Sequence, residues 1–271
     1  MKKISLFTLL FFILFGIYAS FITAQSPYEF DNKKDGVFLL CGAGLQVVGL
    51  YYNNNITPLT DSEINNLSKS EINSFDRFAT SYWSKGAQQI SDVLLVAYGI
   101  LPATLLVSKD VRENFKDISL LYLETALLTL SLNNTTKGVT QRIRPFVYNS
   151  NPNILLKEKT NKDAKRSFYS GHTTFTFASA VFTSMVFGDY FPGSKWEPVV
   201  WSTTLLGATA TAILRIKGGK HYPTDVLVGA FIGSLTGCLV PYFHRNNKDR
   251  RSNLVPASSR KQLLISLNYR F

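Results

Sequence analysis

Three short clusters hold the residues whose chemistry stands out from the rest of the chain. They are Lys137-Gly-Val-Thr-Gln-Arg-Ile-Arg144-Pro145, Tyr169-Ser170-Gly171-His172 and Arg215-Ile-Lys-Gly-Gly-Lys-His221-Tyr-Pro-Thr-Asp225. Lys137 and Arg144 stand two turns apart if their helix continues, so both can point at one anion. Pro145, which lacks a backbone donor and biases Arg144 away from helical geometry, then ends the helix. Ser170 suits a helix N-cap, which leaves the amides of Gly171 and His172 free to meet a phosphate oxygen. Gly171 lets the backbone approach such an anion closely. In the third cluster Gly218-Gly219 makes a turn, Pro223 fits a first helical turn, and Asp225 complements the helix dipole. One turn of helix also puts Asp225 under His221, where a carboxylate can set the imidazole tautomer. Three cations, two helix-terminal amides, two of the chain's three histidines and a carboxylate make an anion site with a nucleophile and an acid. Those parts suit phosphoryl transfer, where one well-placed donor is worth about 3 kcal/mol of barrier.

The elements that position these clusters are apolar. Blocks near 36–52, 91–108, 118–136, 171–188, 199–214 and 226–243 approach the ~20 residues that cross a bilayer as a helix. The chain of 271 residues carries 29 Lys and Arg against 18 Asp and Glu, a net +11. The positive charge lies at block ends and in short loops, not in a stripe interleaved with aromatics, which argues against nucleic acid and for a membrane or an anionic substrate. Cys41 and Cys238 sit in apolar blocks and read as two buried thiols; their spacing excludes a cysteine zinc site.

Residues 1–24, with Lys2, Lys3 and an apolar run to Ile22, read as an export signal or N-terminal anchor. Residue 25 then begins on the exported side, and 25–90 form an exported N-terminal segment. Lys109, Arg112 and Lys116, and the basic run from His244 to Arg251, mark cytoplasmic ends. That puts the three clusters on the exported face only if block 36–52 does not span. Its glycines and Gln46 suit a re-entrant or docked helix. Between 53 and 91 the polar stretch with Tyr82 and Trp83 reads equally as a surface subdomain or a long loop. Glu124 reads as snorkelling or pairing with a nearby lysine, and His244 as interfacial. Arg142 and Lys157, Lys159, Lys162, Lys165 and Arg166 read as a solvated loop face or a contact to a polyanionic headgroup, with Lys217 and Lys220 at the rim. The basic tail, 244–271, ends in weak alternation, but one strand cannot close a barrel.

In order and spacing the clusters resemble the type 2 phosphatidic acid phosphatase (PAP2) family, related to bacterial class A acid phosphatases and vanadium haloperoxidases. Its pattern is K-x6-R-P, P-S-G-H and S-R-x5-H-x3-D. Lys137, Arg144, Pro145, Ser170, Gly171, His172, Arg215, His221 and Asp225 match, while Tyr169 replaces the usual Pro and Leu214 the usual Ser. The resemblance implies an all-α, multi-pass membrane bundle of about five or six helices, its phosphatase domain over 91–243. It implies that His221 forms a phosphohistidine, that Asp225 orients it, and that His172 protonates the leaving oxygen. Lys137, Arg144, Ser170, Gly171 and Arg215 would bind the phosphoryl group, with no metal and no cofactor. The expected substrate is a lipid-linked phosphate or diphosphate, met at the exported face of a bacterial inner membrane. The alternatives are a vanadate-dependent haloperoxidase-like enzyme, against which the apolar blocks speak, and a non-catalytic lipid-binding membrane protein, against which the intact histidines and Asp225 speak.

Overall fold

The computed structural model describes residues 26–246. The expected signal or anchor, and the tail beyond 246, lie outside them. Apart from one isolated bridge between Tyr28 and Arg245, the described residues form helices, turns and loops and contain no strand.

Six long helices organise the described residues. Helix α1 is Asn32–Asn54, capped by Asp31, whose carboxylate accepts from Lys33 N. Helix α2 is Lys85–Ile100, capped by Ser84 and prolonged by a 3-10 segment, Leu101–Val107, with Pro102 in its first turn. Helix α3 is Phe115–Thr140, α4 Gly171–Tyr190, α5 Glu197–Lys217 and α6 Pro223–His244. Each of the six apolar blocks maps onto one of these helices.

Helices α1, α2 with its extension, α5 and α6 are long and apolar enough to cross a membrane. Leu40, Val93, Leu206 and Phe231 stand exposed on their outer faces, as lipid contact requires. Helices α3 and α4 are long enough but more polar, because they face protein. Helix α4 buries Thr173, Thr174, Thr176, Ser179, Thr183 and Ser184, and Thr174 and Thr183 turn their hydroxyls back to the carbonyls of Ser170 and Ser179. The chain is a multi-pass membrane protein.

Small residues set the packing, as expected where lipid competes with helix for every apolar surface. On α6, Gly229, Gly233 and Gly237 recur every fourth residue against α4. A Cβ at Gly233 or Gly237 would overlap the carbonyls of Thr174 and Ala178, and one at Gly229 would lie 2.9 Å from Ser170 O. Along α1, Gly42 meets Leu127 and Gly49 meets Thr135 of α3, while Gly138 meets Tyr52. Helices α1 and α3 therefore run parallel, and successive helices alternate in direction. All three clusters come to one end of the bundle.

Residues 36–52, expected as a re-entrant or docked helix, pack along α3. They are the middle of a continuous 23-residue helix that follows α3 over most of its length. Its N-terminal end sits at the end opposite the clusters, where Glu29 N donates to His244 O and Tyr28 Oη to Asp189. The sequence reading put residue 25 and the clusters on one face; the start of α1 and the clusters stand at opposite ends of the bundle. The 53–91 stretch is neither a separate subdomain nor a loose loop. Its short helical turns lie over the cluster end, Leu59 packing with Phe146 and Val147, and Ile72 and Ala79 with Tyr222.

Four further expectations are corrected. Cys41 is exposed on α1, on an outward helix face, and Cys238 is half-buried. Glu124 and His244 are buried and meet each other rather than an interface. Arg142 lies in a buried ion-pair network rather than on a solvated face. Helix α3 ends at Thr140, not at Pro145: Gln141 adopts a left-handed conformation (φ 45°) and returns its N–H to Lys137 O. Arg144 is extended, as the Pro145 that follows it favours.

Candidate active site

The structure brings all eight sequence-selected residues to one end. His221, in the turn between α5 and α6, is 1% exposed. Its Nδ1 lies 2.8 Å from Ser167 O and its Nε2 3.2 Å from Arg144 Nη1. A carbonyl only accepts and a guanidinium only donates, so Nδ1 carries the proton and Nε2 presents its lone pair. Burial, and the positive charges of Arg144, Lys137 and Arg215, hold the His221 imidazole well below its ordinary pKa. The ring is neutral at physiological pH, as a nucleophile must be.

Asp225 does not set this tautomer directly. Its Oδ2 is 3.6 Å from His221 Nδ1, and its own partners are Ser167 Oγ (2.5 Å), Tyr222 N (2.9 Å) and Arg142 Nη1 (2.6 Å). The Ser167 carbonyl takes the proton of Nδ1, and Asp225 lies behind it as a buried negative charge.

Cations surround Nε2. Arg144 is fixed by three acceptors, Asp163 O (2.7 Å), Asp163 Oδ1 (2.8 Å) and Lys220 O (2.9 Å). Burial raises the Asp163 pKa, but Arg144, Lys137 and Lys220 outweigh it and bring it to about 2, so the carboxylate stays charged and holds Arg144. Arg215 is buried, with Nη1 3.1 Å from Ser91 Oγ and 3.3 Å from Asp92 Oδ1, while its Nε has no hydrogen-bond partner. Lys137 is buried as well. Gly171 makes this approach possible, since a Cβ there would sit 2.7 Å from Asn133 Oδ1 and 3.2 Å from Lys137 Nζ. Ser170 caps α4 as expected, its hydroxyl accepting from Thr173 N. Burial and Arg144 lower Lys220 to about 8, and its ammonium lies over Phe146 and Trp83 at 4.7 and 5.6 Å.

The sequence reading missed several residues here. Asp92 Oδ1 is 2.7 Å from His172 Nε2 and joins that ring to Arg215. As an ionisable residue at the start of the apolar block near 91–108, it was a candidate the sequence offered. Arg142 bridges Asp225 and Asp76, at 2.6 and 2.8 Å, and Asp76 in turn accepts from Thr224 N and Oγ1. Burial raises the Asp76 pKa, and its hydrogen bonds from Thr224 and Arg142 more than offset this and lower it. Nothing in spacing marked Ser167 or Asp76.

The profile of the PAP2 superfamily matches residues 119–249. The chain carries a PAP2-superfamily domain. The matched span runs from α3 to just beyond α6 and includes every sequence-selected site residue; Asp76, Ser91 and Asp92 precede it. A lipid A 1-phosphatase from Porphyromonas gingivalis is 38% identical over 74 residues, 27% of this chain and 15% of that protein. An undecaprenyl-diphosphatase from Sulfolobus acidocaldarius is 27% identical over 132 residues, 49% of this chain and 56% of that protein. The chain thus spans little more than half the length of one relative and far less of the other. A transmembrane PAP2-type phosphatidylglycerolphosphate phosphatase from Bacillus subtilis superposes with a TM-score of 0.47 at 18% identity, covering 80% of this chain and 99% of that one.

Proposed function

We propose that the chain is a metal-independent phosphatase that hydrolyses a lipid-linked phosphate or diphosphate through a phosphohistidine. One observation carries this reading. A buried neutral imidazole presents Nε2 to Arg144, with two further buried cations, Lys137 and Arg215, in the same cluster, and Arg215 Nε lacks an acceptor. A buried donor without a partner costs about 1–3 kcal/mol, more when charged, and a phosphoryl group would satisfy it while balancing the neighbouring cations.

In the proposed reaction His221 Nε2 attacks phosphorus while the bond to the leaving oxygen breaks. His172 supplies that oxygen with its proton, and Asp92 stabilises the imidazolium that does so. The equatorial oxygens rest on Lys137, Arg144, Arg215 and the amides at the start of α4. Asp225 stabilises the positive charge that grows on His221. Water then attacks the phosphohistidine, giving its proton to His172, and phosphate leaves. Asp92, Asp163 and Asp225 each pair with an arginine, which supports a site that works through cations of the chain itself.

Lipid-linked substrates fit a site at the end of membrane helices, and the two relatives carry names of that class. The short loop at the opposite end carries Lys109 and Arg112, and Arg245 lies there too, which favours a cytoplasmic end there and an exported site. Purified protein should release phosphate from at least one of undecaprenyl diphosphate, phosphatidylglycerol phosphate, phosphatidic acid and lipid A phosphate, with chelator present and with inhibition by vanadate. Vanadate imitates the five-coordinate transferring group. Activity lost on brief chelation and restored by magnesium, or no release from any of the four, overturns the proposal.

A further inference from the structure

A second cluster of ionisable groups lies at the end of the bundle away from the phosphate site. Asp35 of α1, Glu124 of α3 and His244 of α6 bring one ligand atom each to within 4.8 Å of one another, and all three are buried. His244 Nδ1 lies 2.8 Å from Val240 O. A carbonyl only accepts, so Nδ1 carries the ring proton. Nε2 then faces two carboxylates, with Asp35 Oδ1 at 2.9 Å and Glu124 Oε2 at 3.2 Å.

Glu124 gives the cluster its meaning. It is 1% exposed, and neither of its carboxylate oxygens accepts a hydrogen bond. The neighbouring Arg245 does not relieve it, being committed to Asp189 at 2.7 Å. Protonating Nε2 would place one positive charge between two negative ones and leave a net negative charge buried. A divalent cation balances both carboxylates and leaves the imidazole neutral.

The geometry suits a metal ion. Bonds of about 2.0–2.2 Å to nitrogen and oxygen put neighbouring ligands on a tetrahedral ion roughly 3.3 Å apart, close to the 2.9 and 3.2 Å at which the two carboxylate oxygens stand from Nε2. The ring proton held by a backbone carbonyl is the arrangement that orients a metal-binding histidine. The rings of Phe30 and Phe38 stand 5.3 and 5.5 Å from His244 and close the cluster with apolar surface.

We propose that Asp35, Glu124 and His244 form a divalent-metal site, with zinc the ion that best fits one imidazole and two carboxylates. The ion ties α1, which precedes the PAP2 match, to α3 and α6. Its role is structural, since it sits at the opposite end from the phosphate cations.

Elemental analysis of the purified full-length protein tests this. The expected result is about one equivalent of zinc or a similar divalent metal per chain. Glu124→Gln and His244→Gln should lower the metal content roughly tenfold, while His221→Ala, at the other end, should leave it unchanged. Prolonged chelation of the wild-type protein should lower its melting temperature by on the order of 5 °C, and zinc should restore it. Wild-type protein without bound metal, whose melting temperature ignores added zinc, overturns the proposal. So does metal content that survives in both variants. If neither variant folds, the wild-type metal content and its zinc-dependent melting decide between the two outcomes.

Discussion

Asp225→Asn separates two ways of activating His221. The Ser167 carbonyl, 2.8 Å from Nδ1, already sets the tautomer, so the carboxylate is left with an electrostatic role. As the bond from Nε2 to phosphorus forms, the imidazole becomes cationic, with Asp225 Oδ2 3.6 Å away. At that distance, with an effective dielectric constant near 20, the attraction is about 4–5 kcal/mol. Arg142, 2.6 Å from the other oxygen, cancels part of it. With about half remaining, the loss is ~2–3 kcal/mol, a fall in kcat of about a hundredfold. KM should stay within about threefold, because Asp225 bonds none of the cations assigned to the phosphate. Ser167→Ala is the matching control: it removes a hydroxyl that donates to Asp225 but keeps the carbonyl, so kcat should fall less than about tenfold. Steady-state kinetics on a soluble phosphate ester, with melting curves to correct for unfolded protein, give both numbers. An Asp225→Asn enzyme within threefold of wild-type kcat, or one changed only in KM, refutes the reasoning.

The two histidines should separate as well. His221→Ala should form no acid-labile phosphoenzyme, whereas His172→Ala should lose about 10²–10⁴-fold on a lipid phosphate but less on para-nitrophenyl phosphate, whose leaving group needs no proton; phosphate trapped on the His221→Ala protein would show the roles reversed. Lys220, lowered to about 8 by burial and Arg144, is charged below that pH and loses its charge above it. KM should therefore rise above pH 8, and Lys220→Met should raise KM at pH 7 and abolish that rise; an alkaline limb unchanged in the variant rules Lys220 out as its cause. Reporter fusions at Phe30 and Asn151 should report opposite sides of the membrane, with Phe30 and Arg112 agreeing; Phe30 and Asn151 on one side would mean that α1 does not cross.

What the sequence disclosed depended on how far each interaction reaches along the chain. Caps, glycines and spacing are local, so Ser170, Gly171 and the turn before α6 were legible, as were the apolar blocks. The end of α3 was misplaced because Pro145 is a strong local stop, yet the left-handed Gln141 stops the helix first. The partner of His221 Nδ1 was misassigned for a different reason. The i, i+4 carboxylate is visible in sequence, whereas Ser167 O is a backbone atom from 54 residues away. Glu124 was visible as an ionisable residue in an apolar block, but its proximity to the cytoplasmic end suggested a surface lysine as partner. Its actual neighbours, Asp35 and His244, come from helices at both ends of the chain.

The same long-range logic shows that the site is not closed within residues 119–249. Arg215 is held by Ser91 and Asp92, His172 by Asp92, and Arg142 and Thr224 by Asp76. All three holders precede the matched span, two on α2 and one in the turns laid over the cluster end. They leave the proposed phosphate ligands in the PAP2 domain and fix the geometry of those ligands from outside it. At this end helix α1 packs on α3 and donates from Asn53 Nδ2 to Asn134, while its one buried acidic group, Asp35, lies at the other. The segment before the domain therefore serves both ends of the bundle, with 55–92 completing the site and α1 bracing the helices from the far end.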